Sequence, residues 1–397
     1  MITDALIKAL PKTDLHVHLD GSIRIPTLIE LAKEQGLELP SWTESGLRDL
    51  VFKSTYSSLV EYLAGFEFTV AVLQSAEALE RVAYELGLDN IAEGTRYIEV
   101  RFAPHLHMHD GLGFDEVLAS VTRGLDRARI EHEGSDAVAI DGEPPFRFGI
   151  IVCSLRRFEA SSSRWYGRLF QQFSDAPKKQ IYRMASLELA RSAVRCRDEM
   201  DMPIVAFDLA GQEHGYPARD HVEAYQYAHR HFLKKTVHAG EAYGPESIFE
   251  AITELHADRI GHGYHLFSPE LCGPKIDAPG DYVDRLARYI ADRRVTIEVC
   301  ITSNLQTNPA IGEAKNHHFG KMLDAQLSAT LCTDNRLHSH TTVSNEVRIA
   351  VDAFELDKKQ LRNTIIYGFK RSFFPGSYQK KREYVRSVID FYDKVAG

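Results

Sequence analysis

Eight short apolar, β-branched runs recur along this 397-residue chain, and segments of helical period separate them. No other feature restricts the fold so strongly. The runs occupy residues 13–21, 96–102, 146–152, 203–208, 235–238, 258–262, 295–300 and 329–334. Amphipathic stretches at 26–35, 59–74 and 76–93 fill the long first connection. Others follow at 114–129, 182–198, 221–232, 245–256, 282–291, 318–325 and 343–354, with a closing helix at 384–395. Eight alternations predict an α/β protein with a parallel sheet, and eight strands can close as a (β/α)8 barrel. A doubly wound open sheet is the alternative, but no Gly-x-Gly-x-x-Gly turn follows the first run. No internal repeat or low-complexity linker divides the chain, so residues 1–397 read as one barrel domain. Segments at about 131–145, 157–180 and 267–281 are polar or turn-rich and read as insertions.

Composition narrows the function classes. A net charge of −9 disfavours coating of nucleic acid, which needs a basic face. No run of about 18 apolar residues predicts a membrane span, and the charged N-terminus does not resemble a signal peptide. The five cysteines are scattered, odd in number and lack Cys-x-x-Cys, which fits a reducing cytoplasm. Cys153, Cys300 and Cys332 read as small buried residues at strand ends.

Leu15, Val17 and Leu19 alternate with His16, His18 and Asp20, so both imidazoles project from one face of the first strand. Such a pair is weak evidence alone. The chain has five His-x-His pairs where chance gives about one. Support comes from the other strand ends, where reactive residues of a barrel gather. In order they carry His105, Asp208 to Gly211, His238 to Glu241, His262, Thr302 to Asn304, and Asp334-Asn335. His16, His18, His238 and Asp334 make a ligand set suited to zinc with an open position for water. Glu241, just past His238, can enter the same site as an acid or base. His262, between two glycines, can come close to a ligand and act as a base.

These residues carry a resemblance to the adenosine and adenine nucleoside deaminase family of metal-dependent hydrolases. The matching stretches are Lys12–Ser22, Tyr97–Pro104, Phe207–Glu213, Thr236–Glu241, Asp258–Gly263, Glu298–Asn304 and Thr333–Asn335; residues 130–200 match least. The resemblance implies a distorted eight-stranded barrel of TIM type and hydrolytic loss of the 6-amino group of adenosine, giving inosine and ammonia. It implies one zinc ion on His16, His18, His238 and Asp334. Glu241 would protonate purine N1 as water adds at C6, and His262 would orient and deprotonate that water. The backbone N–H of Gly211 would hold N3, and Asp20 the ribose 5′-hydroxyl. The His-x-Glu and Pro-Cys-x-x-Cys signature of cytidine-type deaminases is absent.

Three positions depart from the family pattern. Asn335 stands where many members have a second Asp facing N7; an amide donates there without needing a proton. Asn335→Asp is therefore expected to keep turnover but add a pH dependence, and identical pH profiles would refute this. Arg336, His338 and His340 read as a solvated loop, with a substrate-facing role as the alternative. Ile301 replaces a usual Pro. As substrate, Asp20 would repel a 5′-phosphate, and free adenine would leave that acid without a partner, at a cost of roughly 1–3 kcal/mol. Adenosine and 2′-deoxyadenosine are therefore expected, with adenine, AMP or a 5′-modified nucleoside as alternatives. A non-catalytic binding protein on this scaffold, or another zinc or two-metal hydrolase, are the competing classes. The sequence does not specify an oligomeric state.

Overall fold

The computed structural model describes residues 2–397. Its eight strands are β1 Lys12–His18, β2 Thr95–Phe102, β3 Arg147–Leu155 and β4 Ile204–Ala210, then β5 Lys234–Ala239, β6 Arg259–His262, β7 Thr296–Val299 and β8 Ala329–Leu331. They pair in parallel and in chain order, so each connection crosses back over the outside with its helices. The ends of the sheet meet through a parallel bridge between Val17 and Asp334. There His18 N–H donates to Asp334 O at 2.7 Å and Asp334 N–H donates to His16 O at 2.8 Å. The result is a (β/α)8 barrel.

All seven residues of β1 are buried, although the sequence alternates polar and apolar. Each face is covered differently. Leu15 and Val17 join the apolar cluster that runs from Ile7 to Tyr392 between strands and outer helices. The opposite face points into the barrel, where charged groups from different strands pair. Arg101 of β2 donates to Asp208 of β4 at 3.1 Å and to Glu298 of β7 at 2.8 Å. Arg259 of β6 donates to Glu298 at 2.6 Å and also pairs with Glu99 of β2. This interior is ionic rather than filled with Val and Ile.

Most predicted helices are present, and Val343–Phe354 keeps its expected bounds. The segment 59–74 differs: it divides into Leu59–Ala64 and Phe66–Val72 at Gly65. A Cβ on Gly65 would lie 2.9 Å from His338 Nε2, so the break brings the backbone onto that ring. Helices Asp4–Ala9, Glu44–Leu50, Ile301–Thr307 and Lys358–Arg371 were not anticipated. In the segment 131–145 the helix Phe114–Glu133 ends and a short Asp136–Ala139 turn follows. Segment 157–180 holds the helix Arg164–Gln172, whose Trp165 stacks on His105 at 3.7 Å just beyond β2. Segment 267–281 contains a short 3-10 turn, Pro269–Leu271, and the start of helix Pro279–Arg293.

No helix among the described residues is long and apolar enough to cross a membrane. All five cysteines are free, and Cys153, Cys300 and Cys332 are buried as expected.

Candidate active site

β1, β5 and the turn after β8 converge at the C-terminal mouth. One ligand atom from each of His16, His18, His238 and Asp334 lies within 4.8 Å of the others. His16 Nε2 and His18 Nε2 are each 3.4 Å from Asp334 Oδ1, and His18 Nε2 faces His238 Nε2 at 3.2 Å. Two strand-borne carboxylates hold the rings from behind. Glu298 Oε2 is 2.8 Å from His16 Nδ1, and Asp208 Oδ2 is 3.0 Å from His238 Nδ1. A carboxylate only accepts, so each Nδ1 carries the proton and each Nε2 turns a lone pair inward.

That arrangement tests the fit to a metal. His16 Nε2 is buried with no hydrogen-bond partner, and its lone pair faces the Asp334 carboxylate oxygen at 3.4 Å. Without a cation the contact is repulsive; with one, each lone pair has its acceptor. Three imidazoles and a carboxylate suit zinc. Asp334 adopts φ 61°, a left-handed conformation for a residue with a side chain, and Ser303 donates to its Oδ2 at 2.7 Å. Strained backbone of this kind is held by its surroundings, here the bridge to β1.

Glu241 and His262 face the same space. Glu241 Oε1 lies 3.7 Å from His262 Nε2, and both side chains are almost fully buried. Burial, aided by the charge on Asp334, pushes the Glu241 carboxyl up to about 8. Burial holds His262 well below its ordinary value, hence neutral. A Cβ on Gly261 would meet His16 Cε1 at 2.9 Å, so the small residue admits the neighbouring ring.

Asp20 follows β1 and is buried; its Oδ1 has no partner, and burial pushes its carboxyl up to about 7. Gly211 follows β4 with φ 90°, a conformation that favours glycine. Asn335 is buried beside Gly21, where any Cβ would fall 1.8 Å from Asn335 Oδ1. Its Nδ2 donates to the Tyr62 hydroxyl at 2.9 Å, so part of its donor capacity is already used.

The solvated-loop reading of 336–340 fails at two of its three residues. Arg336 is held inward by Glu93 at 2.5 Å, away from the ligand cluster. His338 is fully buried and stacked on Phe66 at 4.3 Å. Only His340 is exposed.

Several residues gained no role from the sequence. Glu298 and Asp208 orient ligand rings. Glu213 accepts the backbone N–H groups of Gly240, Glu241, Ala242 and Tyr243 at 2.8–3.1 Å, fixing the turn that carries Glu241. Asn304 contacts His262. All lie in the matching stretches or at strand ends, which was the available signal; their partners are remote in sequence.

A parallel eight-stranded barrel with a cluster of three histidines and an aspartate at its mouth, and a buried glutamate and a fourth histidine beside it, defines a metal-dependent hydrolase. A family model described as adenosine deaminase matches residues 11–177 and 178–391. An adenosine deaminase of Mycobacterium tuberculosis is 36% identical over 93% of this chain and 91% of its own length. A probable adenosine deaminase of Dictyostelium discoideum is 34% identical over 98% of this chain; the chain spans 44% of that longer protein. An amidohydrolase structure from Burkholderia ambifaria, with bound Zn, superposes with a TM-score of 0.74 at 18% identity, covering 100% of this chain and 95% of its own. The chain belongs to the adenosine deaminase family and is a hydrolytic deaminase.

Proposed function

We propose that this enzyme hydrolyses the C6 amino group of adenosine and 2′-deoxyadenosine, releasing ammonia and the corresponding inosine. The observation that carries the reading is the pairing of a carboxyl held protonated, Glu241, with the His16, His18, His238 and Asp334 cluster. Zinc is the proposed metal, one ion on these four residues; the ligand chemistry and the bound Zn of the Burkholderia relative both support it. When bound, zinc acts as a Lewis acid and lowers the pKa of a coordinated water from about 16 to about 7.

The chain's own residues do the rest. Glu241, protonated near neutrality, gives its proton to purine N1 and makes C6 electrophilic. His262 orients the attacking water. Gly211 presents its backbone N–H to N3, and Asn335 its remaining amide proton to N7. Asp20 supplies an unpartnered buried oxygen to the ribose 5′-hydroxyl, which favours a nucleoside over AMP or free adenine. The partners are thus a small purine nucleoside and water. We further assign the chain to purine metabolism in the cytoplasm, as a single barrel domain with the three insertions noted above; the free cysteines support the location.

The test is ammonia release by zinc-loaded protein from adenosine, deoxyadenosine, AMP and adenine. Adenosine and deoxyadenosine should lead. No release from any, with Glu241→Gln indistinguishable, would defeat the proposal.

A further inference from the structure

Behind the His262 ring runs a chain of hydrogen bonds whose polarity can be read from one unambiguous donor. Phe319 N–H donates to His317 Nδ1 at 3.0 Å. A backbone N–H cannot accept, so His317 Nδ1 is bare and its proton sits on Nε2. That Nε2–H faces Asn304 Oδ1 at 3.1 Å, which also fixes the orientation of the amide. Asn304 Nδ2 then donates to His262 Nδ1 at 3.1 Å. His262 Nδ1 is therefore an acceptor, and a neutral ring must carry its proton on Nε2. Any reversed polarity would set two N–H groups against each other at one link of the chain. All three side chains are at least 98% buried, so no solvent stands in for a missing partner.

We infer that Asn304 and His317 are positioning residues that lock His262 as the Nε2–H tautomer, so that His262 donates to the attacking oxygen and does not take its proton. The buried, unpartnered Nε2 is the atom that faces the site. This deepens the deaminase reading and rests on it for the role of the ring, replacing the base function that the family resemblance implied.

The proton balance follows. The oxygen reaching C6 has already lost one proton. As the O–C6 bond forms, the C6–N1 π pair moves to N1 and takes the Glu241 proton. The resulting carboxylate accepts the remaining O–H proton, and that bond's pair stays on the oxygen. The oxygen pair then forms C6=O as the C6–N bond breaks with its own pair, the nitrogen receives the proton from Glu241, and ammonia leaves. Ionisation of the next water restores the Glu241 proton. His262 stays neutral throughout and contributes a fixed N–H at the oxygen.

The test uses zinc-loaded enzyme labelled with 15N at histidine, with the His262 signals assigned by their loss in His262→Asn. Wild type should show a bare, pyridine-type Nδ1 and a protonated Nε2. A protonated Nδ1 would overturn the inference. This spectrum needs no turnover, so it stands or falls separately from the deaminase reading. In Asn304→Asp a carboxylate accepts from both rings and calls for a proton on His262 Nδ1. The spectrum should invert, and kcat should fall about 10²–10³-fold, the loss typical of a removed oxyanion-type donor, with KM changed less than about threefold. An inverted spectrum with wild-type kcat would sink the donor role.

Discussion

Glu241 and Glu346 are both buried carboxyls, yet they make different demands. Glu241 has no hydrogen-bond donor fixed on its carboxyl, and the neutral His262 ring lies 3.7 Å away. Replacing it by Gln should lower kcat about 10²–10⁴-fold, the usual contribution of a general acid, while bound zinc stays stoichiometric by elemental analysis. A comparable loss of metal would instead point to a structural collapse of the site. Glu346 lies outside the site, where Thr341 donates to it at 2.6 Å and Thr302 N–H at 3.2 Å. Burial pushes its carboxyl up from 4.5 to about 7. The folded protein then binds the proton more tightly than the unfolded chain, so this residue's contribution is most favourable below pH 4.5. It is lost as pH rises through 7, by on the order of 3 kcal/mol. Melting temperature should therefore decline between pH 5 and 8 more steeply in the wild type than in Glu346→Gln. Parallel curves would disprove the assignment.

Helix pairs are held at distances that only particular residues permit. Helices Ala76–Ala92 and Phe114–Glu133 approach so closely at Gly124 that a Cβ there would sit 2.1 Å from the Glu80 carbonyl oxygen. Backbone cannot give way as a side chain can. Gly124→Ala should cost about 1–3 kcal/mol in a denaturant titration, whereas Gly280→Ala, which opens onto empty space, should cost nothing measurable. The same logic explains the unanticipated helix Lys358–Arg371. Its Asp357–Gln360 capping box is a legible start. Its β-branched Thr364-Ile365-Ile366 core favours a strand by propensity, yet it is helical, with Gly368 packed against Thr13 of β1 and Thr330 of β8. Propensity yields there to tertiary packing.

Across the molecule, the charged barrel interior ties the metal ligands to the scaffold. Arg101 balances Asp208 and Glu298, the two carboxylates that orient His238 and His16. Arg101→Met leaves both without their cation and should destabilise the fold by about 3–5 kcal/mol, with weaker zinc retention on dialysis. Chelation of the wild type should lower its melting temperature by several degrees, and added zinc should restore it, because a ligand that binds only the folded state stabilises it by mass action. An unchanged melting temperature after verified metal removal would argue against the four-residue site.

The strand–helix alternation was readable from the chain because each strand is locally encoded by β-branched runs and each helix by its period. His16, His18, His238, Asp334 and Glu241 were readable because a parallel barrel gathers strand ends at one mouth. The partners were not. That Glu298 and Asp208 stand behind two of the rings depends on which side chains meet across the barrel, up to 282 residues apart in sequence. That Arg336 turns to Glu93, that His338 is buried under Phe66, and that Asn304 passes the polarity of a backbone N–H to His262 are likewise long-range facts. The local pattern determined the elements and the chemistry available at their ends; tertiary structure alone decided which lone pairs, protons and charges face one another, because hydrogen-bond polarity belongs to pairs and not to residues.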